Sequence, residues 1–129
     1  MLKSGILNPA LLHLLARIRH TNTLVIADQG FPFWPQIETV DLSLVSGLPT
    51  VLQVLDAVRA NFTIGQAWAA QEFLAHNDPS RQSDLRGRFA GIPLGFEPHA
   101  EFKRRVPHAI GLIRTGDAIP YANLIIESA

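Results

Sequence analysis

The feature that most constrains this chain is the run Leu24-Val25-Ile26-Ala27, opened by Thr23 and stopped by Asp28. A strand with one solvated face alternates polar and apolar residues, so a run without alternation belongs to a strand covered on both faces. Such cover takes helices, and one lies just upstream. Asn8-Pro9 opens it, because Asn caps free amides and Pro at the first helical position gives up no hydrogen bond. Leu11, Leu14, Leu15 and Ile18 follow at helical spacing, which predicts a first helix to about Arg19 with His20 at its C-terminal end.

The same reading continues down the chain. Gly30, Pro32 and Pro35 impose a loop, and Ile37 to Leu42 reads as a second short strand. Beyond the breakers Gly47 and Pro49, Val51, Leu52, Leu55 and Val58 fall on one face of a helix. Phe62 to His76 fits two templates: Ile64, Trp68 and Leu74 suit a helix, whereas Phe62-Thr63-Ile64 suits a strand. Pro79-Ser80 reads as a helix entry with Leu85 and Phe89 on its buried side, ended by Gly91 and Pro93. His99 to Val106 is a short amphipathic stretch that Pro107 ends or bends. Ile110 to Ile113 and Asn123 to Ile126 read as two final strands. Strands and helices in alternation predict a layered α/β domain, its later part possibly antiparallel, with no internal domain boundary in residues 1–129.

Composition narrows the functional classes. A chain of 129 residues buries roughly two-thirds of its unfolded surface and folds without staples. It has no cysteine, which removes disulfides, thiolate zinc sites and thiol catalysis. Eleven basic residues balance eleven acidic ones, so there is no electrostatic footprint for a nucleic-acid backbone. No apolar run approaches the roughly 18 residues of a membrane span, and Met1 to Asn8 lacks a secretion signal, so the expectation is a soluble, cytoplasmic protein. Charged residues are 17% of the chain against about 25% in ordinary domains. That deficit predicts surface buried in an oligomer. Neither a metal-binding histidine array nor a phosphate-cradling or dinucleotide motif is present, so the sequence calls for no metal and no cofactor.

Four groups of residues could carry chemistry. Asp28 follows a buried-looking strand, and ligands of open α/β sheets gather outside the carboxyl ends of strands; the alternative is an Asp that caps the loop beside Gly30. His20 would lie near the same strand end if the helix and strand were joined by a tight turn, placing a group that titrates near neutrality there; the alternative is a cation favoured by the helix terminus. His99 and Lys103 share a helix face at a spacing of four, where the ammonium favours neutral imidazole; otherwise they belong to a solvated basic face with Arg104 and Arg105. Tyr121 and Asn123, two apart at the head of the last strand, offer a phenol and an amide to a hydroxyl-rich ligand, or to a neighbouring loop.

Together these pieces resemble the D-ribose pyranase and L-fucose mutarotase family, RbsD/FucU. The resemblance rests on Asn8-Pro9 with Leu11 and Leu12, His20-Thr21-Asn22-Thr23 through Asp28, Gly30-Phe31-Pro32, Gly47-Leu48-Pro49, His99-Ala100-Glu101-Phe102-Lys103, and Ile113-Arg114-Thr115-Gly116 leading to Pro120-Tyr121-Ala122-Asn123. It implies a three-layer α/β/α subunit with a mixed sheet, assembled into a homo-oligomer, often a decamer, with active sites between adjacent subunits. It implies an isomerase that changes the ring form or anomer of a free aldose without a cofactor. The catalytic histidine falls on His20 with Asp28 beside it, and the sugar contacts fall on His99, Lys103, Tyr121, Ala122 and Asn123. The segment after Phe62 becomes a strand.

The chain departs from the family pattern in places. Asn22 stands where ribose-type members usually carry an acid, Asp117 replaces a more usual Glu, and Pro79 to Pro98 carries no matching motif. The His-Thr start is closer to the ribose branch and Phe31-Pro32 to the fucose branch, which leaves both sugars open. A non-catalytic sugar-binding accessory of an uptake system is the competing expectation, against which the titratable pair His20 and Asp28 argues.

Overall fold

Side chains of β1 (Thr23–Ala27) divide between two cores, which fixes the architecture. Leu24 and Ile26 enter the larger core, while Val25 and Ala27 enter the smaller one on the other face. Successive strand residues point to opposite faces, so a run apolar at every position needs cover on both. The computed structural model describes all residues, Met1–Ala129. In chain order the other elements are α1 (Pro9–Ala16), β2 (Glu38–Asp41), α2 (Val51–Arg59), β3 (Ile64–Ala70), α3 (Gln71–His76), α4 (Pro79–Gly87), β4 (Leu94–Glu97), α5 (His99–Arg105), a 3-10 turn (Val106–His108), β5 (Gly111–Arg114) and β6 (Leu124–Ser128).

The six strands form one mixed sheet in the order β2-β5-β1-β6-β3-β4. β1 pairs parallel with β5, β5 with β2 and β3 with β4, whereas β6 runs antiparallel to both β1 and β3. Five strands therefore share one direction. Their carboxyl ends, together with the start of β6, line a single edge of the sheet. Leu11 and Leu14 of α1, Val54, Leu55 and Val58 of α2, Phe73 of α3 and Leu85 of α4 cover one face. Phe102 of α5 and Val106 cover the other with Phe31. The result is the expected three-layer α/β/α domain with unequal outer layers.

Capping sets the helix starts. The Asn8 side chain accepts from Leu11 N at 2.9 Å, Thr50 and Gln53 form a reciprocal capping box on α2, and Asp78 accepts from Arg81 N at 2.9 Å on α4.

Four details differ from the sequence reading or go beyond it. α1 ends at Ala16 rather than near Arg19, with Arg17 as its cap, so His20 stands in a turn outside the helix. The ambiguous stretch holds β3 and then α3 with no loop between them, so neither period could fit the whole window. β4 lies in the segment without a matching motif; it is a four-residue edge strand with Gly95 inside it and no residue fully buried, so it carries no alternation. The last two strands do not pair with each other, because β6 inserts between β1 and β3.

Candidate functional site

Asp28 leaves β1 at the carboxyl edge of the sheet, where Asn123, just ahead of β6, grips it twice. Asn123 Oδ1 accepts from Asp28 N at 2.7 Å and Asn123 Nδ2 donates to Asp28 Oδ2 at 3.1 Å. The other carboxylate oxygen accepts from Gly30 N at 2.9 Å, which closes the turn. Arg114, at the end of β5, donates to the carbonyls of Asp28, Gln29 and Pro32 over 3.3 to 3.4 Å. The carboxylate is thus held by Asn123 and Gly30, while Arg114 fixes the backbone of the loop that Asp28 opens.

His99 opens α5 two residues beyond β4. Its ring stacks on Phe102 with centroids 5.9 Å apart and meets the edges of Phe31 at 6.1 Å and Tyr121 at 5.2 Å. Its Nδ1 is buried and has no hydrogen-bond partner within the chain. Burial pushes the imidazole pKa below the usual histidine value and the Lys103 ammonium pushes the same way, while Glu72 and Asp28 oppose them. The balance favours the neutral imidazole, the form that can accept a proton. Lys103, one turn on, is half-buried and makes no ion pair within the chain.

Tyr121 sits in the left-handed region at φ 57°, a conformation that costs a non-glycine residue about 1–3 kcal/mol and needs surrounding structure to enforce it. That structure is visible. Asp117, 2% exposed, accepts from Val51 N at the start of α2 and from Ile119 N, both at 2.8 Å. Asn77 donates to the Pro120 carbonyl at 2.9 Å. The turn is pinned on both sides of Tyr121, whose ring lies between those of His99 and His76, the latter with its centroid 5.1 Å away.

Asp28, Phe31, His99, Lys103, Tyr121 and Asn123, completed by Gly30 and Pro32, enclose an open cavity of about 370 Å³, within the roughly 300–1,000 Å³ usual for small-molecule clefts. A carboxylate, a neutral imidazole, an ammonium and a phenol converge there. Such a set can bind several hydroxyls and exchange protons with them.

Two predicted members stand elsewhere. His20 lies before β1, at the opposite edge of the sheet, with Nδ1 against the Ala129 carbonyl and Asn22 Oδ1 accepting from Arg19 N nearby. β1 alone spans roughly 17 Å, so His20 and Asp28 of one chain do not meet. The expected tight turn does join helix and strand, but it places His20 at the start of the strand and not at its end. Ala122 lines a second, mostly apolar cavity behind the Tyr121 turn, with Val51, Phe73, Leu85 and Ile119. Tyr121 and Asn123 do share the pocket, although β6 begins only at Leu124, so strand alternation is not what brings them together. Sequence reasoning missed Arg114 and the organising role of Asp117; a buried carboxylate beside a helix start announces itself only once the loop is folded against that helix.

Over residues 1–129 the chain matches the RbsD / FucU transport protein family. It is 46% identical to the D-ribose pyranase of Geobacillus kaustophilus (strain HTA426), over 99% of this chain and 93% of that protein. Among solved structures it resembles Bacillus subtilis RbsD complexed with D-ribose, with a TM-score of 0.93 and 35% identity over 100% of this chain and 98% of the other. It also shares the fold of the fucose mutarotase of Streptococcus pneumoniae in complex with L-fucose, with a TM-score of 0.84 and 18% identity over 99% and 98% of the two chains.

Proposed function

The chain belongs to the RbsD/FucU family, and from that premise we propose that it is a cofactor-independent isomerase that interconverts the ring forms of a free aldose, with D-ribose as its substrate. The observation that carries this reading is the convergence of Asp28, His99, Lys103, Tyr121 and Asn123 on one open cavity in a chain so similar to D-ribose pyranases.

Opening a sugar ring breaks a hemiacetal: the ring oxygen gains a proton, the anomeric hydroxyl loses one, and the C–O ring bond cleaves to leave a free aldehyde. Closure on a different hydroxyl, or on the other face of the aldehyde, reverses both transfers. No C–H bond breaks. Acid/base groups that titrate near neutrality suffice, each contributing about 10²–10⁴-fold. His99, kept neutral, accepts the proton of the anomeric hydroxyl, while Lys103 and Tyr121 hold the hydroxyls of the open chain. Asp28 accepts from a substrate hydroxyl and is oriented by Asn123.

His20 enters this scheme from another copy of the chain. It is exposed and lies at the edge of the sheet away from the pocket, so a homo-oligomer that sets the amino edge of one subunit against the carboxyl edge of the next supplies the second proton carrier. The low charge and the exposed apolar side chains Phe33, Leu44, Val45 and Leu48 support such contacts. A decamer working in the cytoplasm is the form in which we propose the protein acts.

The test is magnetisation-transfer NMR on D-ribose at equilibrium. Exchange between pyranose and furanose signals accelerates well above buffer in the presence of the protein. Ribose binding without acceleration would reject the enzymatic reading in favour of a binding accessory.

A further inference from the structure

Glu72 has no role in the scheme above, yet both of its carboxylate oxygens lie against the backbone N–H of His99, at 3.1 and 3.0 Å. The contact follows from strand register. β3 and β4 run parallel with Ala70 opposite Glu97, so the second residue of α3 and the first residue of α5 emerge side by side at the carboxyl edge. α5 needs help there: Pro98 precedes it and offers no side-chain cap, leaving free amides that a carboxylate satisfies well. No cation within the chain pairs with Glu72. The His99 ring, for its part, has a buried Nδ1 without a partner, so its place in the pocket depends on aromatic packing and on where its backbone is anchored.

We propose that Glu72 is a positioning residue for His99, fixing the backbone of α5 at the pocket wall and setting a negative charge beside the imidazole. This rests on the reading of the pocket as the place where the sugar ring opens. The charged and titratable groups around the ring are Glu72 from α3, Lys103 from α5, Asp28 from the loop after β1 and Tyr121 from the turn before β6, with His76 behind Tyr121. Burial and Lys103 drive the proton off His99; Glu72 is the larger of the two opposing charges, ahead of Asp28. Without it the imidazole becomes a weaker base in the pH range where it must accept a proton.

Two variants separate anchoring from charge. Glu72→Gln keeps an acceptor for the His99 amide and removes the charge, whereas Glu72→Ala removes both. The readouts are the His99 imidazole titration by NMR, assigned against His99→Asn, and the pH profile of ribose exchange with kcat and KM resolved. Glu72→Gln should lower the His99 midpoint and carry the acidic limb of kcat to lower pH by the same amount, with only a small fall in melting temperature. Glu72→Ala should cut kcat by roughly 100-fold, the scale of a misplaced reacting group, with a smaller change in KM. An active wild type whose His99 midpoint and kcat profile are untouched by Glu72→Gln overturns this proposal alone. A wild type that binds ribose without speeding exchange overturns the catalytic reading, and the NMR midpoint then shows separately whether the Glu72–His99 coupling exists.

Discussion

Asn123 holds Asp28 by its backbone and its carboxylate at once, through bonds of 2.7 and 3.1 Å. Both polar atoms of the Asn123 side chain are occupied by this residue, and Asn123 is only 2% exposed. Its amide is therefore placed to orient Asp28, which keeps its own place at the cavity wall. The relationship joins the end of β1 to the start of β6, two neighbouring antiparallel strands whose ends meet at the pocket.

Replacing Asn123 tests that relationship. Asn123→Asp is nearly isosteric but sets a second carboxylate against Asp28 and loses the donor; a buried group left without its partner costs about 1–3 kcal/mol. The variant should melt at a lower temperature and lose at least roughly tenfold in exchange rate, on the scale of one acid/base contribution. Asn123→Ala should lose activity as well. Thermal unfolding and magnetisation transfer, run on the same samples, check both effects, and a fully active Asn123→Ala would remove Asp28 orientation from the mechanism.

The separation of His20 from Asp28 within one chain leads to a complementation experiment. His20→Ala and Asp28→Asn should each be folded and nearly inactive. Refolded together, they form mixed assemblies in which some interfaces join an intact His20 to an intact pocket, and random mixing in a symmetric assembly restores about a quarter of wild-type activity. Mixtures no more active than their components would mean that His20 does not reach a neighbouring pocket, leaving His99 to carry both proton transfers.

Much of this arrangement was legible in the chain, for identifiable reasons. β1 was visible from Thr23 to Ala27 because its core contacts alternate between two apolar layers, and α2 because Val51, Leu55 and Val58 share a face. The pocket residues were visible as types at meaningful spacings. The edge to which each belongs was not. His20 and Asp28 flank one strand, and only the direction of that strand puts one at the amino edge and the other at the carboxyl edge. Glu72 was hidden because its partner is a backbone amide 27 positions away, reached through the register of β3 against β4, and β4 itself has too few residues and too much glycine to announce a period.

The pH dependence follows from His99. Its pKa is lowered by burial first and by Lys103 second, so the folded form binds its proton less tightly than the unfolded chain does. Below the ordinary histidine value the unfolded state takes up more protons, and stability from this group is complete above that value and lost as pH falls through the window towards the folded pKa. Activity that needs neutral His99 should likewise persist somewhat below pH 6.5, the ordinary value, before declining. Lys103→Met removes the like charge, raises the His99 pKa and should carry the acidic limb upward in pH. A limb that stays in place or moves down would show that another group controls it.

Gly116 provides the last test, because it links the scaffold to the Tyr121 turn. A Cβ at this position would sit 2.3 Å from the Leu48 carbonyl oxygen and 2.4 Å from that of Val45. Both are backbone atoms, so no side-chain rotation relieves the clash. Gly116 also accepts from Gly47 N at 2.5 Å and donates to the Pro49 carbonyl at 2.9 Å, which locks the Val45–Leu48 turn against the strand end that leads into Asp117. Gly116→Ala must push these two backbones apart, at a cost of about 1–3 kcal/mol by analogy with overpacked cores. The displacement passes to Asp117, whose bonds to Val51 N and Ile119 N hold the turn that presents Tyr121. The variant should therefore unfold at a lower denaturant concentration and, while still folded, bind ribose more weakly than wild type. Wild-type stability in Gly116→Ala would mean that the Val45–Leu48 turn yields freely, and the site would then not depend on that contact.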